Sequence, residues 1–277
     1  MEPLKLFWPH PVIQFNGRGI SEYWAEAMEK LGFAITQDYD AADMVFFISD
    51  SQLDRRYIGE KPTVAYFWGW LPERCLLPDF FDFAKPKLDM LAACTRVLVP
   101  GPITQYQLAA FGIQSEVCLP GVDSVTLDRF QGNAQPQQRV VFVSRLAVHK
   151  QLELLLYAMS SLEPKVPLLV LGSGEAYYLE GYRDFARRNG VPVTFLAPTD
   201  AEKVRLIQDS MVLVMPSRYE GFSLPPVEAL YLGTPVVVSD IPQHRWLLQE
   251  DVDYFSSVDG LAGTLIDVLN NQAKARQ

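Results

Sequence analysis

Histidine and cysteine are scarce, with three of each in 277 residues. Cys75, Cys94 and Cys118 follow no close metal-ligand spacing, and an odd number in a chain of this length is no disulfide framework, so a reducing, cytoplasmic setting is expected. His10, His149 and His244 stand far apart and suggest no cluster. Positive charge is also short. Against 33 Asp and Glu there are 24 Lys and Arg, a formal net charge of -9, which argues against nucleic acid as a partner because phosphate contacts need clustered cations. Residues 1–123 hold 10 basic and 16 acidic side chains, so contact with the inner face of a membrane is peripheral at most. No apolar run reaches the roughly 18 residues of a spanning helix, and MEPLKLFWPH lacks the charged-then-apolar pattern of an export signal. The strings Asp38-Tyr39-Asp40 and Asp251-Val252-Asp253 do not follow a nucleotide-binding strand, so neither a metal nor a cofactor is expected.

What is abundant is apolar sequence, 49% of the chain, arranged in two series of alternating strand and helix signals. In the first, strand-like runs at 4–8, 44–48, 63–68, 96–99 and 116–119 accompany a helix over Ile20–Leu31. Its apolar face is read as Ile20, Tyr23, Trp24, Ala27, Met28 and Leu31, with Gly32 ending it. In the second, strands are expected at 140–143, 168–171, 193–196, 211–214 and 235–238, with helices at 152–162, 175–189, 201–208, 224–232 and 261–269. Runs such as VVFV, LLVL and MVLVM imply parallel strands buried on both faces. The polar stretch SVTLDRFQGNAQPQQ reads as a linker over 124–138, which gives Rossmann-like α/β domains at 1–123 and 139–277. Ligands of such sheets bind beyond the carboxyl ends of the strands. The aromatic group Tyr66, Phe67, Trp68, Trp70, Phe80, Phe81 and Phe83 reads first as core, with sugar or lipid stacking as the alternative.

The most informative segment is SRYEGFSLPPVEALYLG, residues 217–233. A loop leaves a buried strand and enters a helix whose first turn takes Pro225 and Pro226, where missing N–H groups cost nothing. Ser223 is a candidate N-cap, and the N–H groups of Phe222, Ser223 and Leu224 with the helix dipole make an anion site. Glu220 precedes the turn and Glu228 lies inside the helix. Either carboxylate can serve as a dipole partner or can accept from neighbouring sugar hydroxyls.

Glu220 to Glu228, with GFSLPPV between, resembles the E-x7-E motif of the retaining GT-B glycosyltransferases of family 4, the group 1 transferases. VVFVSRLAVHKQLELLLYAM at 140–159, LGSGEAYYL at 171–179 and TPVVVSDIPQHRWLL at 234–248 are similar to the same family's strand and loop elements. NGRGISEYWAEAMEKLG at 16–32 and RVLVPGPITQYQLAAFGIQSEVCLPGVD at 96–123 resemble parts of its first domain. The resemblance implies two domains facing each other across a donor-binding cleft, and a sugar moved from a UDP-, GDP- or ADP-sugar to a hydroxyl on a sugar, glycan or lipid-linked acceptor. It implies Arg145 and Lys150 on the diphosphate, Glu220 by the transferred sugar and Glu228 on the ribose. Gly221, Phe222, Ser223 and Leu224 would offer backbone N–H groups, with Gly17, Gly19 and Gly172 in glycine loops around the donor.

Position by position the match has exceptions: Trp68 stands where many members have His, Trp246 where many have Glu, and Ser144 where Gly is frequent. These changes bear on acceptor use and raise an alternative, a nucleotide-sugar-binding protein with a degenerate acceptor site. A nicotinamide oxidoreductase is disfavoured because no G-x-G-x-x-G follows the first strand.

Overall fold

The computed structural model describes residues 3–9, 20–69, 78–135 and 137–274, the side chains of 20–23 and 272–274 excepted. His10, Gly17, Gly19, Trp70 and Cys75 lie outside the described residues. The chain divides between Pro120 and Gly121 into two units, each with its own sheet.

The first unit runs β1 (Lys5–Phe7), α1 (Ile20–Lys30), β2 (Ala34–Thr36), β3 (Met44–Phe47), β4 (Thr63–Tyr66), α2 (Phe80–Ala92), β5 (Arg96–Val99), α3 (Pro102–Ala109) and β6 (Glu116–Val117). Its strands pair in parallel in the order β2-β1-β3-β4-β5-β6. Side chains alternate across the sheet: Val45, Phe47, Ala65 and Phe67 enter one apolar cluster, while Phe46, Ile48 and Tyr66 join Leu6, Trp8 and Trp24 in another. Burial on both faces is why these strands read as unbroken apolar runs.

Gly32 ends α1 as expected, at φ +89°, with its own N–H donating to Glu29 O and that of Phe33 to Met28 O. The apolar face of α1 differs from the sequence reading. Trp24 is buried and Met28 half-buried, but Ala27 and Leu31 are exposed, and Ala25 packs in Ala27's place. Of the aromatic group, Tyr66, Phe67 and Phe80 are core and Trp68 packs at its edge, whereas Phe81 and Phe83 are exposed.

The second unit runs α4 (Ser124–Phe130), β7 (Gln137–Val143), α5 (Leu152–Ser160), β8 (Leu168–Leu171), α6 (Ala176–Arg188), β9 (Val193–Leu196), α7 (Asp200–Gln208), β10 (Ser210–Met215), α8 (Leu224–Tyr231), β11 (Val236–Ser239), α9 (Pro242–Leu248), β12 (Asp253–Phe255) and α10 (Val258–Lys274). Its order is β12-β11-β10-β7-β8-β9, again parallel. Val140 to Phe142 and Val212 to Met215 are fully buried at its centre, each large side chain contributing roughly 1.5–3 kcal/mol of hydrophobic stabilisation.

The segment 124–138 is not a free linker. Asp123 caps α4 through Thr126 N–H at 3.2 Å, and Leu127 is buried in the second core. Gly132 and the Gln208 side chain exchange two hydrogen bonds of 2.9 Å, and Gln135 N–H donates to Asp209 Oδ1 at 2.8 Å. The backbone at Gly132 and Gln135 is thus satisfied by side chains at the end of α7 and just beyond it. No helix among the described residues is long and apolar enough to cross a membrane.

Candidate functional site

In the second sheet the chain leaves β7 for β8 and β9 on one side, then returns to β10 on the other. The β7/β10 boundary is therefore a topological switch point, where neighbouring loops part at the carboxyl edge and leave room for a ligand. The loop after β7 carries Arg145 and Lys150, and the loop after β10 carries residues 217–223.

The two loops are tied together. Arg218 N–H donates to His149 O at 2.8 Å, and Lys150 Nζ lies 2.7 Å from both carboxylate oxygens of Glu220. Lys150 is half-buried and Glu220 buried, the side chains 16% and 5% exposed respectively. Lys150 precedes the helix rather than lying in it. It closes a 3₁₀ turn, Val148–Lys150, and α5 starts only after Gln151, which holds the left-handed conformation φ 49°, ψ 44°. For a residue with a side chain that costs of order 1–3 kcal/mol, the kind of strain that surrounding structure must impose. Arg145 does not join the pair: its side chain is exposed and has no acidic partner among the described residues.

Pro225 and Pro226 occupy the first turn of α8, and Gly233 ends it at φ +75°. Ser223 holds the N-cap position but makes no capping bond. Its hydroxyl is turned instead to His244 Nε2, 3.2 Å away. Ser223 is buried, and Gly221, Phe222 and Leu224 are half-buried. The N–H groups of these four residues donate to no acceptor among the described residues. Glu228, within α8, is held by Lys203 of α7, whose Nζ lies 3.0 and 3.2 Å from its oxygens.

Gly172 follows β8 at φ +154°, and a Cβ there would stand 1.9 Å from Ser144 O. Its missing side chain lets the loops after β7 and β8 meet, a packing reason distinct from the donor contact inferred from sequence. Trp68, at the carboxyl end of β4, is anchored by Nε1 donating to Ile48 O at 2.7 Å and by its ring against Tyr66.

Two participants were missed by sequence reading, Lys203 and His244. Neither carries a local signal, since Lys203 meets Glu228 across 25 residues and His244 meets Ser223 across 21. His244, read as isolated, is fully buried. Burial drives its pKa below the ordinary histidine value, while the Ser239 carbonyl and the Glu220 charge oppose the shift and the Lys150 charge adds to it. Among the described residues, no group of three or more His, Cys, Asp or Glu is placed to hold a metal ion.

This geometry sits on the part of the chain, residues 124–277, that matches the model of the glycosyl transferases group 1 family. The chain belongs to that family. Among curated relatives of this group 1 chain, phosphatidyl-myo-inositol mannosyltransferase of Mycobacterium tuberculosis is 29% identical over 231 residues, 77% of this chain and 60% of the relative. A D-inositol 3-phosphate glycosyltransferase of Segniliparus rotundus is 32% identical over 169 residues, 55% of this chain and 37% of its own. The chain thus spans about three-fifths or less of the length of these relatives. Among solved structures, sucrose-phosphate synthase from Thermosynechococcus elongatus superposes with a TM-score of 0.77 at 15% identity, covering 99% of this chain and 91% of that one. HepE of Anabaena, solved with UDP and glucose, gives 0.78 at 15% identity with coverage of 98% and 91%. Paired parallel sheets of this kind are the GT-B fold expected from the sequence.

Proposed function

We propose that this chain is a glycosyltransferase that takes its sugar from a nucleotide-diphosphate donor and passes it to a hydroxyl acceptor with retention and without a metal. The observation that carries the reading is the meeting of Lys150 and Glu220 at the switch point, beside four unpaired N–H groups at the start of α8. A cation and free backbone donors at one helix start suit a diphosphate leaving group, whose developing charge they would stabilise most in the transition state. On this reading Lys150 and exposed Arg145 bind the diphosphate, Glu228 accepts from the ribose hydroxyls, and Glu220 faces the sugar. UDP in HepE supports a nucleotide-sugar donor such as a UDP-sugar, and the inositol lipid and inositol phosphate named for the curated relatives support a polyol or lipid-linked acceptor.

Trp68 favours a second reading, a donor-binding protein without transfer, because a rigidly anchored indole stands where the family often places His. Titration with UDP, GDP and ADP in EDTA, followed by transfer assays that read anomeric configuration by NMR, separates the two. Binding and net retention uphold the first reading, and binding without transfer to any acceptor the second. Failure of all three nucleotides to bind refutes both.

A further inference from the structure

His244 is the third residue of α9, immediately beyond β11, and is wholly enclosed. Its Nδ1 lies 2.9 Å from the Ser239 carbonyl oxygen. A carbonyl can only accept, so Nδ1 carries the ring proton. Nε2 of the neutral ring is then an acceptor, and the contact with Ser223 at 3.2 Å has one polarity: the Ser223 hydroxyl donates. Beside it, the Ser239 hydroxyl donates to the Ser217 carbonyl. The loop 217–223 is therefore hung at both ends, at Ser217 from Ser239, the last residue of β11, and at Ser223 from His244 of α9.

The Ser223 end bears on ligand binding. A serine at an N-cap ordinarily turns its oxygen to a free N–H of the first turn. Here the hydroxyl is used up on the ring, at φ −93° and ψ 85°, and the N–H groups of residues 221–224 stay uncommitted. A local cap would consume a donor that an anion needs; a hydrogen bond to a buried ring fixes the same turn without doing so.

We propose that His244 is a positioning residue for the donor: it draws off the Ser223 hydroxyl and fixes the turn so that the N–H groups of residues 221–224 converge on the diphosphate. The inference rests on the functional reading above. Two conservative variants divide the ring's bonds. His244→Gln places an acceptor near the Nε2 position and keeps the Ser223 contact; His244→Asn keeps a donor at the Nδ1 position for Ser239 O and does not reach Ser223. With UDP, GDP and ADP titrated in turn, His244→Asn and Ser223→Ala should each weaken binding of whichever nucleotide the wild type takes by about three- to tenfold, the net scale of one lost hydrogen bond. His244→Gln should stay within about twofold of wild type, and His244→Asn/Ser223→Ala should be no worse than either single variant, because one contact is removed twice. The proposal is overturned if His244→Asn and Ser223→Ala bind like wild type, if Gln and Asn are equally impaired, or if the loss follows the urea midpoint across the set and so reflects stability alone. A wild-type protein that binds none of the three nucleotides overturns the functional reading, and this inference with it.

Discussion

Removing the Lys150 charge while keeping its length, as in Lys150→Met, leaves Glu220 a carboxylate with 5% of its side chain exposed and no counterion. The cost is set by that exposure. A surface pair of this geometry would contribute under about 1 kcal/mol, whereas breaking a buried pair by deleting one partner costs about 3–5 kcal/mol. Both side chains are well below a third exposed, so the larger figure applies. For a chain of 150–250 residues each kcal/mol moves the melting temperature by about 2–4 °C, which gives a drop of roughly 6–20 °C. Two units need not unfold together, so calorimetry that resolves separate transitions is the assay, and the drop should fall on the unit that begins at Gly121. Glu220→Gln should cost less, because the longer Lys150 side chain, 16% exposed, can turn its ammonium to water. Lys150→Met/Glu220→Gln should recover most of the loss, with a coupling of at least about 2 kcal/mol, while Arg145→Met at its exposed site stays within about 0.5 kcal/mol of wild type. A Lys150→Met protein that melts with wild type, or a coupling near zero, would refute the argument that Glu220 depends on this cation.

Gly172→Ala should cost at least about 1–3 kcal/mol by urea unfolding, since its Cβ would meet the Ser144 carbonyl at 1.9 Å; a wild-type midpoint would show that the two loops are not in contact. His244 has a depressed pKa when folded, so the unfolded chain takes up the extra proton; stability from this group is complete above about pH 6.5 and is lost as pH falls below it, by up to about 1.36 kcal/mol per pH unit. His244→Gln should flatten that part of the stability curve, and an unchanged slope would assign it to other groups. Glu228→Ala should weaken free UDP and UDP-glucose by the same factor, whereas Glu220→Gln should spare UDP affinity and lower turnover at saturating donor, since an interaction made mainly in the transition state appears in rate alone. Matching behaviour of the two variants would leave both carboxylates as partners of their lysines only.

The central strands were legible because each is buried on both faces and so carries an unbroken apolar run, from Val140 to Val143 and from Met211 to Val214. Elements without that signature escaped. β2 is three half-buried residues, β12 is a three-residue edge strand, and α2 has Pro86 inside it. Polar α4 was taken for linker because it buries little beyond Thr126 and Leu127. At the site, the stretch from Ser217 to Gly233 announced itself through local chemistry: prolines at a helix start, a glycine at its end, carboxylates between. Lys203 and His244 did not, because their contacts are made by crossovers that bring Lys203 of α7 to Glu228 and His244 of α9 to Ser223, and no spacing within either segment encodes that meeting.

The free protein already has a partner for each glutamate of the motif, Lys150 for Glu220 and Lys203 for Glu228, each supplied by a different crossover. This bears on how a diphosphate could enter. An ammonium has three N–H donors, and Glu220 takes two of them through its two oxygens, so the third is available without breaking the pair. On the proposed reading Lys150 need not choose between carboxylate and phosphate; it bridges them, and the buried carboxylate holds the ammonium in place before the donor arrives. On the same reading Arg145 would supply what a point charge cannot, a planar fork matched to two phosphate oxygens, and its exposure leaves it able to move onto the ligand. One cation is therefore built in and the other recruited. On that reading the built-in cation would contribute preorganisation at the reacting end of the donor, where differential stabilisation of the leaving group raises the rate.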